Sequence, residues 1–157
     1  MFLGWSDLFT NFAGRIGRKR YWLGVFLLIA LAIAVTAVLF SVGTALQDTA
    51  FAYLAFFIQL AFLYPATALM VKRLHDRNRP DYFVAFMLGP LILKFLADLL
   101  DRIDNHLNVN ALDYLLGAII FLASLWFFIE LGCMRGTIGE NKYGPDPLKP
   151  APAMSLR

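Results

Sequence analysis

The sequence predicts an all-α fold: an integral membrane four-helix bundle with an interfacial amino-terminal amphipathic helix and a cytoplasmic polar cap. Three observations predict it. Of 157 residues 60% are hydrophobic and only 16% charged, and the mean hydropathy is +0.65, more apolar surface than a soluble core of this size hides. That surface is gathered into four runs, about 21–46, 51–71, 82–100 and 111–134, each near the roughly 20 residues a helix needs to cross a bilayer. Finally, the basic residues cluster in every other segment outside these runs, and so on one side of a membrane.

The first element is a short stripe. Phe2, Trp5, Phe9 and Phe12 recur at spacings of three and four, with Ser6, Asp7, Thr10 and Asn11 between them. A helix lying in the headgroup region fits this period better than an irregular start with scattered aromatics. Gly14 and Gly17 interrupt it. From Tyr21 to Gln47 there is no charge, so this segment reads as the first span, with Tyr21 and Trp22 anchoring its near end. A cleaved signal has an apolar core of only about 7 to 15 residues, so this run reads as retained.

Asp48 marks a short outer loop, and Phe51 to Val71 is a second uncharged run. Within it Gln59 and Pro65 are expected to face neighbouring helices, in a kinked packing helix rather than a pore. Lys72-Arg73-Leu74-His75-Asp76-Arg77-Asn78-Arg79-Pro80 then reads as the central basic loop. Tyr82 to Leu100 is the third span and the least apolar. Lys94 and Asp98, four residues apart, share a helix face and can pair, and Gly89-Pro90 predicts a kink. The loop from Asp101 to Asn110 is acidic. Ala111 to Met134 is the fourth span, with Glu130 five residues before Arg135 and therefore only about 7 to 8 Å deep. Tyr143-Gly144-Pro145-Asp146-Pro147 reads as a tight turn. Residues 1–148 form one membrane domain in this reading, and 149–157 a disordered tail.

Sidedness follows from the lysines and arginines. Four precede span one (Arg15, Arg18, Lys19, Arg20), four lie in the central loop (Lys72, Arg73, Arg77, Arg79) and four in the tail (Arg135, Lys142, Lys149, Arg157). Only Lys94 and Arg102 fall elsewhere. The positive-inside bias therefore places both termini and the central loop in the cytoplasm, as four spans require. The net charge of +3 reports orientation, and no nucleic-acid partner is expected. Cys133 alone excludes an internal disulfide. With two histidines far apart, neither a metal nor a cofactor is expected.

Topology brings three motifs to one face: Gly14-Arg15-Ile16-Gly17-Arg18-Lys19-Arg20-Tyr21-Trp22, Lys72-Arg73-Leu74-His75-Asp76, and Gly139-Glu140-Asn141-Lys142-Tyr143-Gly144-Pro145-Asp146-Pro147. In this ordered triple, from Phe9 to Pro147, the chain resembles the bacterial inner-membrane proteins grouped as domain of unknown function 805 (YhaH-like). Gly14, Arg15, Arg18, Tyr21 and Trp22 carry the first motif, and Arg73, Leu74, His75 and Asp76 the second. Asn141, Tyr143, Gly144, Pro145, Asp146 and Pro147 carry the third. Arg77-Asn78-Arg79-Pro80 is more basic than the family pattern. The resemblance implies an inner-membrane location and no particular activity.

His75 beside Asp76 raises acid–base chemistry, but no nucleophile sits at a telling spacing and further histidines are lacking, so no catalytic residue is assigned. Two other readings stay open. In the architectural one, Arg73 and His75 donate to the tail while Asp76 caps a helix or pairs with arginine. In the other, Arg15, Arg18, Arg73, His75, Asp76, Asn141, Tyr143 and Asp146 form an anion or lipid-headgroup site, with anionic membrane lipids as partners. The tail is then expected to fold back so that Tyr143 and Asp146 meet Arg73 and His75, enclosing a positively charged recess with Arg15 and Arg18. Glu130 is expected to pair with a basic residue of the cytoplasmic cap, Arg73 or Arg15 before the others. The reading is of a non-enzymatic structural or partner-binding membrane protein. A lipid or anion binder is the first alternative and a transporter or channel subunit the second; a homo-oligomer or another membrane protein remains open as partner.

Overall fold

The computed structural model describes residues 4–46, 49–103 and 110–148. Helix α1 is Trp5–Thr10, α2 is Arg18–Leu46, α3 is Thr49–Ala61 and α4 is Leu63–Asp76. A 3₁₀ turn, Asp81–Val84, leads into α5, Ala85–Ile103. Helix α6, Asn110–Phe127, runs on into a π-helical segment, Phe128–Cys133. There is no strand among the described residues. The disordered tail expected at 149–157 lies outside them.

Among the described residues three helical stretches are long and apolar enough to cross a membrane: Arg18–Thr44, Tyr53–Asp76 and Asp113–Cys133. Between Ala61 and Leu63 the second is broken, where the amide of Phe62 donates to Gln59 O at 3.1 Å. Pro65, which cannot donate its own backbone bond, falls in the first turn of α4, where the break makes that donor dispensable. The residues expected in the third span form α5, which is amphipathic because Lys94 and Asp98 interrupt it. As the spacing predicted, Lys94 pairs with Asp98, and it also reaches Asp113 of α6 at 3.3 Å.

One expectation is corrected at the basic stretch. Lys72 to Asp76 are the last turns of α4 and buried, whereas the sequence reading made them a loop. No helix breaker occurs there until Asn78, which takes a left-handed φ of 56°, followed by Pro80.

The core lies at this end of the molecule. Ile16, Leu74 and Leu131 are fully buried and Leu69 nearly so, with Leu8, Tyr21, Val84 and Phe127 packed around them. Away from it the helices turn large apolar side chains outward, among them Phe40 at 72% and Phe121 at 68% exposure. Water would penalise such a surface; lipid tails would not.

Candidate functional site

The core end gathers the finishing turns of α1, α4 and the π segment, and every helix finishing there leaves carbonyls without an intrahelical donor. Such carbonyls also carry the negative end of the helix dipole, so a buried cation is the fitting partner. The basic residues of the sequence do this work.

Lys72, wholly buried, turns its ammonium onto α1, where Nζ donates to Asp7 O and to Leu8 O, the latter at 2.8 Å. Arg73, equally buried, serves the π segment: Nε donates to Leu131 O at 2.7 Å and Nη2 to Met134 O at 2.5 Å. Two neighbours on α2 complete the row. Trp22 Nε1 donates to Gly132 O at 3.2 Å, and Arg18 Nη1 to Cys133 O at 3.2 Å. Four successive carbonyls at the end of the last helix are thus capped by three side chains.

Asp76 is the carboxylate between the buried arginines. Its Oδ2 accepts from Arg73 Nη1, while its Oδ1 accepts from Arg15 Nε at 3.2 Å and Nη2 at 3.0 Å. The remaining Arg15 donors go to the tail: Nη1 to Gly139 O at 2.8 Å and Gly144 O at 3.0 Å, Nη2 to Thr137 O at 2.7 Å. The tail in turn covers the open end of α4. Thr137 N donates to Asp76 O at 2.8 Å and Asn141 Nδ2 to His75 O at 2.9 Å. Gly136 allows this approach, since a Cβ there would lie 2.0 Å from Asp76 Oδ2.

The tail does fold back onto the end of α4. Tyr143 stacks on His75, ring centroids 3.8 Å apart and planes 8° off parallel. His75 Nδ1 lies 3.2 Å from Gly14 O, and its Nε2 is buried with no hydrogen-bond partner among the described residues. Asp146 accepts from the amides of Gly139 and Leu148, both at 3.0 Å, and so shapes the turn itself. In place of an open positive recess, Arg15 and Arg73 are buried and directed at internal acceptors. The arrangement is a clasp: one carboxylate and two guanidinium groups join the residues before α2, the end of α4 and the tail.

Glu130 does pair with basic residues at this end, and the second correction concerns which ones. It contacts neither Arg73 nor Arg15; its Oε1 lies 3.3 Å from Arg77 Nε and 3.4 Å from Arg79 Nε. Arg77 is one helical turn beyond Arg73, nearer the surface, and Arg73 is already held by Asp76 and carbonyl oxygens. Sequence reasoning missed the roles of Lys72, Gly136, Thr137 and the π segment. Only Gly136 offered a signal, as a glycine directly after the last span.

The sequence pattern of the family described as "Protein of unknown function (DUF805)" matches residues 9–145. The chain is 35% identical over 138 residues to "Uncharacterized protein YiiR" of Escherichia coli (strain K12), covering 87% of this chain and 85% of that protein. It is 28% identical over 139 residues to "Inner membrane protein YhaI" of the same organism, covering 88% and 87%. No solved structure matches.

Proposed function

The chain belongs to the DUF805 family, and we propose that it is a four-pass inner-membrane protein, both termini cytoplasmic, with a structural or partner-binding role rather than an enzymatic one. The four passes rest on geometry at the clasp. Hydrogen bonds of Arg15, Asp76 and Thr137 hold the residues before α2, the end of α4 and the tail at one end of the molecule. A chain held at one end at three points crosses an even number of times between them, which supports α5 as the further crossing. Its 19 residues extend about 28 Å, close to the roughly 30 Å hydrocarbon thickness. The inner-membrane location is supported by the similarity to "Inner membrane protein YhaI", and the orientation by the basic residues.

The observation that carries the non-enzymatic reading is the saturation of Arg15 and Arg73 by internal acceptors. A group whose donors are already held is poorly placed to bind a reacting anion, and His75 is covered by Tyr143. Orientation is tested by labelling single cysteines in a Cys133→Ser background, Cys133 being exposed. Cysteines at 48 and 108 are expected to react from outside, and those at 78 and 155 only after permeabilisation; outside labelling at 78 would overturn the topology. The role is tested at Arg15: Arg15→Gln is expected to lower thermal stability while leaving anionic-lipid preference unchanged. Loss of that preference with the fold intact would instead favour an anion or headgroup site within the clasp.

A further inference from the structure

An apolar cleft of about 490 Å³ opens between the 3₁₀ turn, the start of α5 and the second half of α6, its lining including Phe83, Phe86, Ile119, Leu122, Ala123 and Trp126. Phe86 and Leu122 are 62% and 63% exposed, so the cleft faces outward. Phe83 and Trp126 stack with centroids 5.9 Å apart at its cap end, and a tryptophan, with its amphipathic indole, favours the interfacial level of a bilayer. Along α6 the lining runs from Ile119 to Trp126, about 10 Å, or some two thirds of one leaflet's share of the roughly 30 Å hydrocarbon layer.

A charge stands over the end formed by Phe83. Arg79 Cζ lies 5.8 Å from the Phe83 ring centroid, and its side chain is half exposed. It shares Glu130 with Arg77, so two cations face one carboxylate and the group carries a net positive charge. We propose that this cleft binds a single anionic glycerophospholipid, one acyl chain lying between Phe86 and Leu122 and the phosphate on Arg79. The apolar walls match the chain; the uncompensated charge at the mouth matches the phosphodiester. Placing it in the anionic cytoplasmic leaflet rests on the orientation proposed above; the binding itself does not. The clasp has no part in it.

The test is native mass spectrometry of the full chain released from bilayer discs of mixed phosphatidylglycerol and phosphatidylcholine. The unaltered protein is expected to retain one phosphatidylglycerol in preference. Arg79→Gln should lower that preference about tenfold, the effect of one charge-assisted contact. Ala123→Phe, which fills the cleft, should abolish retention of either lipid, and Lys19→Gln, an exposed cation on α2, should change nothing. Equal losses from Arg79→Gln and Lys19→Gln would reduce the effect to diffuse attraction and overturn the site. So would undiminished retention in Ala123→Phe, or an Ala123→Phe variant that loses a dimer rather than a lipid, which would make a second copy the occupant. Because Arg79 is exposed, its variant decides the matter even if Ala123→Phe fails to fold. The discs present the same lipids on both faces, so an error in orientation, detected by the labelling above, leaves this result readable.

Discussion

Asp76 and Glu130 are both carboxylates held between two arginines at the same end of the molecule, yet their circumstances are opposite. Asp76 is 4% exposed and its partners Arg15 and Arg73 at most 1%. Glu130 is 10% exposed, its partners 18% and 49%, with contacts of 3.3 and 3.4 Å. The difference lies less in charge than in what surrounds it. Around Asp76 the guanidinium donors also meet carbonyl oxygens left open by finishing helices, so charge and backbone are satisfied together. Around Glu130 a solvated rim leaves Arg79 available. A buried arginine with enough acceptors is architecture, while a half-exposed one with a shared carboxylate can still meet a ligand.

The widest separation between the two comes from removing each carboxylate's charge. Asp76→Asn leaves two buried guanidinium groups without a counter-charge, and breaking a buried pair costs about 3–5 kcal/mol, enough to lose the fold at growth temperature for a marginally stable protein. Thermal denaturation in a mild detergent measures it. An Asp76→Asn variant that melts with the unaltered protein would place both carboxylates in one class.

Next in size is a steric probe of the closed site. Gly136→Ala would drive a Cβ to 2.0 Å from Asp76 Oδ2, against a carboxylate fixed on both sides. Overpacking of that kind costs about 1–3 kcal/mol. Gly117→Ala on α6, where nothing beyond the helix's own adjoining backbone lies within 4 Å of the added carbon, should be neutral or slightly stabilising, since alanine is the better helix former. Equal melting of the two variants would mean the tail does not press on Asp76.

These contrasts also mark what the sequence revealed. Apolar runs and the placement of lysine and arginine located the helices, because lipid contact is a property of side chains and hydropathy measures it. The clasp residues Arg15, Arg73, His75, Asp76, Asn141 and Tyr143 were legible as a group for the same reason: topology alone carries them to one end. Their roles were not, because the acceptors are backbone carbonyls at helix ends, and no side chain announces an open carbonyl. Lys72 to Asp76 looked like a loop because charges in a row read as solvated, although here each has a buried partner. The partner of Glu130 was missed because Met134 N bonds Ile129 O, five residues back, at 3.1 Å, and this π turn shifts the register by which Glu130 is aimed.

The smallest effect, and the sharpest for the comparison, is the coupling at the open site. Glu130 lies within ion-pair distance of Arg77 but not of Arg73, so two double-mutant cycles should part. Glu130→Gln with Arg77→Gln should show a coupling of about 0.2–1 kcal/mol, the range of partly exposed pairs, and lose most of it in high salt because solvent reaches Arg77 and Arg79. Glu130→Gln with Arg73→Gln should be additive to within about 0.5 kcal/mol, as for groups sharing no contact, although Arg73→Gln alone is by far the more damaging change. Melting temperatures of the three single and two double variants at two salt concentrations decide it. A larger, salt-insensitive coupling to Arg73 would mean that Glu130 belongs to the closed network after all, and that the two carboxylates do not differ in kind.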